Sequence, residues 1–226
     1  MSLLDVIFPR FCFGCGFLGC YVCPSCVKKL VLVADDTCFY CGKRSAMGLT
    51  HPGCRRRNGV DAFVAVYKYN ATIQKIIKSI KYRGAKEGMG DFLAGTGIMI
   101  MERALPVFKL CAGGIIQPVP LHASKQARRG FNQAEIIGGF ISRATRIPQG
   151  KLLERIKNTT PQAEQKTKGL RRRNVAHSMR ACVDDIGKKV LIVDDVVTSG
   201  ATAGDAARAL KVAGAPFVAV FALAKG

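Results

Sequence analysis

Beyond residue 60 the apolar positions fall into short, regular blocks. Residues 62–69 (AFVAVYKY) are apolar at nearly every position, which predicts a strand. Ile73, Ile76, Ile77 and Ile80 then recur at intervals of three and four, with Lys75, Lys78 and Lys81 between them, which predicts an amphipathic helix ended by Tyr82-Arg83-Gly84. Residues 90–105 read as a second helix and 114–119 (GIIQPV) as a short buried strand closed by Pro120. A third helix covers 132–144, with Asn132 placed to cap it. Residues 155–168 are polar and loop-like. The C-terminal part repeats the alternation, with a strand over 190–193, a helix over 202–213 and a strand over 217–223. Gly214-Ala215-Pro216 separates the last two. Strand and helix in alternation predict an α/β domain, a parallel sheet with helices on both faces.

The periodicity is absent before Asn58-Gly59, where cysteines and turns replace it. RRRNG (55–59) is therefore the expected junction between a small cysteine-rich module, 1–58, and the main domain, 59–226. At 226 residues and 49% apolar, the chain can bury one core and carry an appendage of this size. No apolar run approaches the roughly 20 residues of a membrane span. The first residues, MSLLDVIFPRF, have neither a basic leader nor a small-residue cleavage site, so a cytoplasmic protein with no membrane insertion is expected.

Eight of the ten cysteines precede residue 55, which in a reducing compartment points to metal rather than disulfides. Cys12-x2-Cys15 with Cys23-x2-Cys26 makes one pair of knuckles, and Cys38-x2-Cys41 with His51-x2-Cys54 a second. Zinc takes four sulfur or nitrogen ligands in a tetrahedron, so the two pairs predict one or two structural Zn²⁺ with no open position. Cys20 offers a competing Cys20-x2-Cys23 pair, and a cross-braced arrangement would use the same eight residues in different combinations.

Charge narrows the ligand class. The formal net charge is +20, and 14 basic residues lie between Leu121 and Arg180 against three acids, Glu135, Glu154 and Glu164. Such a concentration predicts an anionic ligand or a polyanion partner. VLIVDDVVTSGATAGDA (190–206) gives that ligand a shape. An apolar strand ends in Asp194-Asp195, and Thr198, Ser199, Gly200, Ala201 and Thr202 turn the chain into a helix. Backbone N–H groups at a helix start, hydroxyls and a glycine suit a phosphate. Two carboxylates repel a phosphate but accept hydrogen bonds from a vicinal diol. A ribose 5-phosphate carries both groups.

This stretch resembles the binding motif for 5-phosphoribosyl 1-pyrophosphate (PRPP) in type I phosphoribosyltransferases. QPVPLHASKQARRGFNQAE (117–135), TTPQAEQKTKGLRRRNVAHSM (159–179) and VLIVDDVVTSGAT occur here in the order seen in the competence protein F family, whose members resemble phosphoribosyltransferases and carry an N-terminal zinc ribbon. The resemblance covers nearly the whole chain. His51 stands where that family usually has cysteine.

The resemblance implies a phosphoribosyltransferase fold and displacement of pyrophosphate from ribose C1, with Mg²⁺ accompanying PRPP. It places His122, Arg128, Arg129 and Asn132, with Lys125, beside pyrophosphate, and Gln162, Arg171 and Asn174 on a catalytic loop. Bland roles stay open beside these: a turn for His122, a helix cap for Asn132, core packing for Phe131, a basic helical face for 171–173. Single-stranded DNA and DNA-uptake proteins are the implied partners. The rival functions are a non-catalytic nucleic-acid adaptor and a salvage enzyme acting on a nucleobase.

Overall fold

The computed structural model describes residues 9–82, 86–157 and 177–226. The main sheet has four parallel strands: β1 (Ala62–Lys68), β2 (Ile115–Pro118), β5 (Val190–Val197) and β6 (Val218–Lys225), in spatial order β1-β6-β5-β2. The strand period of two sorts their side chains onto opposite faces. Val64, Val66, Leu191, Val193, Ala219 and Phe221 face one way, toward α2 (Ala71–Tyr82), α3 (Lys86–Leu110) and α5 (Gln133–Thr145). Phe63, Ala65, Val190, Ile192, Val218 and Val220 face the other, toward α6 (Ala201–Val212). Helices on both faces explain why these strands read as unbroken apolar runs.

Several boundaries differ from the sequence reading. Strand β5 continues through Asp194 and Asp195 to Val197, because its backbone stays paired with β6 as far as Val197 opposite Lys225. Helix α3 runs past Leu105 and through Pro106 to Leu110. Proline removes one hydrogen bond, but the carbonyl it frees belongs to exposed Glu102, and Val107 and Phe108 are buried beyond it. Residue 155, expected in a loop, closes β3 (Leu153–Arg155), which pairs antiparallel with β4 (Met179–Ala181). A short helix, α4 (Ala123–Arg129), was not expected at all; His122 caps its start and Gly130, in the left-handed conformation, ends it. Asn132 caps α5 as expected, accepting from the Ala134 amide.

Asp205 fixes the antiparallel β3–β4 pair against α6. Its buried carboxylate accepts from the amides of His177, Ser178 and Met179 at 2.7–3.0 Å and meets the Arg208 guanidinium. The cysteine-rich segment packs directly on the sheet domain. Cys12, Phe13, Val22, Cys23 and Cys26, the last in the one-turn helix α1 (Pro24–Val27), join the cluster that holds α2 and α3. Phe39 and Tyr40 lie against the α6 side. Among the described residues no helix is long and apolar enough to cross a membrane.

Candidate functional site

The sheet register assembles the site. Pro118 lies opposite Val193, and the Val119 amide donates to the Val193 carbonyl, so the chain leaving β2 runs beside Asp194. At the same carboxyl edge, β6 ends opposite both Val197 and Lys68. A cavity of about 410 Å³ opens there. Its lining includes Asp194, Asp195, Thr198 and Thr202, the cations Lys81, Lys125, Arg129 and Arg155, and Tyr82, Asn132 and Gln133. Ligands in open parallel sheets bind at this edge.

The two carboxylates are not equivalent. Lys81 Nζ sits 2.5 Å from Asp195 Oδ2, and both side chains are largely buried. Burial alone would push Asp195 up, but the Lys81 charge overrides it and holds the carboxyl below its usual range. Asp194 makes no ion pair this short among the described residues, and the Lys81 charge only partly offsets what burial does to it. Burial, reinforced by the Asp195 charge, raises it to about 7. Asp194 Oδ1 also accepts the Asp195 amide at 2.9 Å. The pair therefore offers one fixed charge and one carboxyl that titrates near neutrality.

The turn beyond the pair suits an anion. Gly200 has φ of 73° and begins α6, whose first amide, that of Ala201, donates to Ser199 Oγ at 3.4 Å, so the helix start and its hydroxyls face the ligand edge together. Around the same cavity three donors have no hydrogen-bond partner among the described residues: Arg129 Nε, Gln133 Nε2 and Arg155 Nε. All three residues line the cavity. A buried N–H without an acceptor costs about 1–3 kcal/mol, so three such residues around one cavity make it a candidate anion site. The Arg129 guanidinium also lies 5.6 Å from the Tyr82 ring centre.

The residues expected from the sequence divide. Asp194, Asp195, Thr198, Thr202, Arg129 and Asn132 line the cavity, and Ser199, Gly200 and Ala201 complete the turn. Asn132 serves as cap and also donates to the Val119 carbonyl at 3.0 Å, holding the β2 exit loop. Arg128 and His122 do not line the cavity. Arg128 is exposed, and the His122 imidazole is engaged with Ser124 at 2.8 Å. Phe131 is buried in the core. Gln162, Arg171 and Asn174 lie outside the described residues. Sequence reasoning missed Lys81, Gln133 and Arg155. Lys81 had a signal: it follows Ile77 by one helical turn, next to the buried stripe.

Two further clusters lie away from the cavity. Cys12, Cys15, Cys23 and Cys26 bring their sulfurs within 4.8 Å of one another, and so do the ligand atoms of Cys38, Cys41, His51 and Cys54. Either group could hold a metal ion, and the grouping follows the sequential pairing rather than a cross-brace. The donor chemistry fits Zn²⁺. Despite burial, which opposes it, amides of Cys15, Cys23 and Gly14 bring the Cys12 thiol down to about 6. Amides of Cys41, His51 and Tyr40 do the same for Cys38, again to about 6. His51 points Nδ1 at Cys41 Sγ, 3.3 Å away, while Nε2 lies 3.1 Å from the Arg44 carbonyl. A zinc-binding histidine needs such an acceptor for its other nitrogen. Cys20 belongs to neither group.

Known proteins were compared with the whole chain. No family model matches it. Competence protein F of Haemophilus influenzae is 26% identical over 210 residues, 90% of each chain. Competence protein ComFC of Bacillus subtilis is 26% identical over 205 residues, 84% of this chain and 77% of that one. The DNA utilization protein YhgH of Escherichia coli K12 is 33% identical over 163 residues, 72% of this chain and 71% of that one. With its order of motifs, its parallel sheet and its paired cysteine groups, the chain belongs to the competence protein F family.

Proposed function

We propose that the cavity binds PRPP or a closely related ribose 5-phosphate, and that the protein serves the handling of DNA taken into the cell. The observation that carries the ligand reading is that one cavity is lined both by the acidic pair with the α6 turn and by Arg129, Gln133 and Arg155. We take the first set as one wall of the ligand site and the second as the other. The turn receives the 5-phosphate, Asp194 and Asp195 accept from the ribose hydroxyls, and the cationic wall receives pyrophosphate. Guanidinium suits that wall because its donors form a planar fork. Mg²⁺ would arrive with pyrophosphate, coordinated mainly by phosphate oxygens and water.

In the transferase form of this reading, a nucleophile displaces pyrophosphate from C1 and the bond to the anomeric oxygen breaks. Ionised Asp194 and Asp195 then lie near the cationic ribosyl centre. Gln162, Arg171 and Asn174 are proposed to complete the catalysis. The relatives' names support the DNA role, and the basic surface supports contact with single-stranded DNA. Each metal group is assigned one structural Zn²⁺.

Titration calorimetry with PRPP, ribose 5-phosphate and pyrophosphate tests the ligand. PRPP is expected to bind most tightly, since it alone engages both walls. Arg155→Gln and Arg129→Gln should each weaken PRPP by about 10- to 100-fold, the scale of a charge-assisted hydrogen bond, while ribose 5-phosphate changes little. Equal loss for both ligands, or no loss for either, would refute the two-wall arrangement. Single-stranded DNA binding should fall with salt by about 0.7 log units per log unit of salt for each phosphate contact, and Arg128→Gln should flatten that slope without touching PRPP. DNA affinity independent of salt rules out the electrostatic contact.

A further inference from the structure

We infer that Phe39 is a positioning residue for the ligand turn and that it couples that turn to the second metal group. Phe39 lies inside the Cys38–Cys41 knuckle, yet its ring reaches the sheet domain. A Cβ built on Gly200 would meet Phe39 Cζ at 2.7 Å, so the ring edge rests directly on the αL residue that opens α6. The ring cannot easily retreat. It packs edge-on against Phe63 of β1, with centroids 5.6 Å apart, and against Tyr40 at 5.2 Å. The Tyr40 hydroxyl is itself tied to the Val60 amide at 2.8 Å.

A second tie runs beside the first. Lys225 at the end of β6 donates to Thr37 Oγ1 at 2.7 Å and pairs across the sheet with Val197, the residue before the turn. The knuckle thus touches the turn at Gly200 and braces the strand that leads into it. A metal held by Cys38, Cys41, His51 and Cys54 fixes the backbone on both sides of Phe39. The first metal group contacts α2 and α3 instead, so the two groups carry different duties. Coupling of this kind is reciprocal: whatever the knuckle contributes to ligand affinity, the ligand returns to metal affinity.

The inference rests on the turn being the phosphate site, and its test separates the two claims. Hydrogen exchange reads the turn without ligand, at the Gly204 amide that bonds the Gly200 carbonyl at 2.8 Å. In Phe39→Ala this amide should exchange about tenfold faster, amides of β2 should be unchanged, and Phe39→Leu should restore most of the protection. Cys54→Ser, which empties the second group, should show the same local signature. PRPP should bind Phe39→Ala about tenfold more weakly, and in Co²⁺-substituted wild type PRPP should slow metal loss by a similar factor from the three-thiolate group alone, whose absorption differs from that of the four-thiolate group. Unchanged exchange at Gly204 in both Phe39→Ala and Cys54→Ser overturns the inference. Failure of wild type to bind PRPP instead overturns the ligand reading, and the exchange result still decides the coupling.

Discussion

Cys26→Ser is expected to reduce the zinc content from about two ions per chain to about one and to lower the melting temperature by roughly 10 °C or more. The expectation follows from where the first group sits. Cys12, Cys23 and Cys26 are at most 4% exposed and belong to the same buried cluster as Ile76, Ile80, Met89 and Phe92. A thiolate cage closed by zinc supplies folding energy, about 10–16 kcal/mol apparent in isolated zinc-binding peptides. Without the ion, two buried thiols and a serine hydroxyl crowd together with no cation, and Phe13 loses the anchor that presses it onto α2 and α3. The ring contacts Gly88 so closely that a Cβ there would lie 2.5 Å from Phe13 Cε2. At about 2–4 °C per kcal/mol for a chain of this size, loss of even a third of the metal's contribution gives the stated fall. Elemental analysis and thermal unfolding by circular dichroism measure the two quantities. Retention of two zinc ions by Cys26→Ser would remove the four-thiolate assignment, and an unchanged melting temperature would remove its structural role.

What the amino-acid sequence made legible follows from how local each signal is. The runs at 62–69 and 190–193 read as strands because burial on both faces makes every position apolar, which needs no knowledge of the partner strand. The metal groups were legible because each knuckle is four residues long and carries its own geometry. The acidic pair and the turn were legible as one unit at the end of a strand for the same reason. Lys81 was not, because its meaning depends on Asp195, 114 positions away, and only the packing of α2 on the sheet brings them to 2.5 Å. Arg155 was read as part of a loop because β3 and β4 are three residues each and contain charged residues, too short to show alternation. Phe39 carries no signal at all as a neighbour of cysteines. The contact with Gly200 exists only because the cysteine-rich segment folds back onto the sheet. Residues 171–173 show the same limit from the other side, since a basic cluster gives charge without direction.

Asn substitutions at the acidic pair should move stability in opposite directions, although both remove one negative charge. Asp195→Asn takes from the largely buried Lys81 ammonium its partner at 2.5 Å and leaves it only the weaker reach of Asp194. Breaking a buried pair from one side costs about 3–5 kcal/mol, so this variant should melt several degrees below wild type at pH 8. Asp194→Asn should melt above wild type at the same pH. The sign comes from linkage. The Asp194 carboxyl is raised from 3.8 to about 7 in the folded protein, by burial first and by the Asp195 charge second. Between those values the folded state holds a proton that the unfolded chain has released. Stability from this group is therefore full at pH below 4 and is lost as pH climbs through 7. Asn cannot ionise, so it removes the loss and recovers up to about 4 kcal/mol at pH 8, less where water enters the open cavity. Below pH 5 the two proteins should converge, because Asp194 is then protonated and differs little from Asn in charge. Both variants should weaken PRPP, since each removes an acceptor for the ribose hydroxyls. Thermal scans from pH 4 to 9 on the wild type and both variants give the comparison. A stabilised Asp195→Asn would contradict the Lys81 pairing. An Asp194→Asn variant that is stabilised at pH 8 and weakened toward PRPP would show that the cavity holds a carboxylate at a cost to the fold because the ligand requires it.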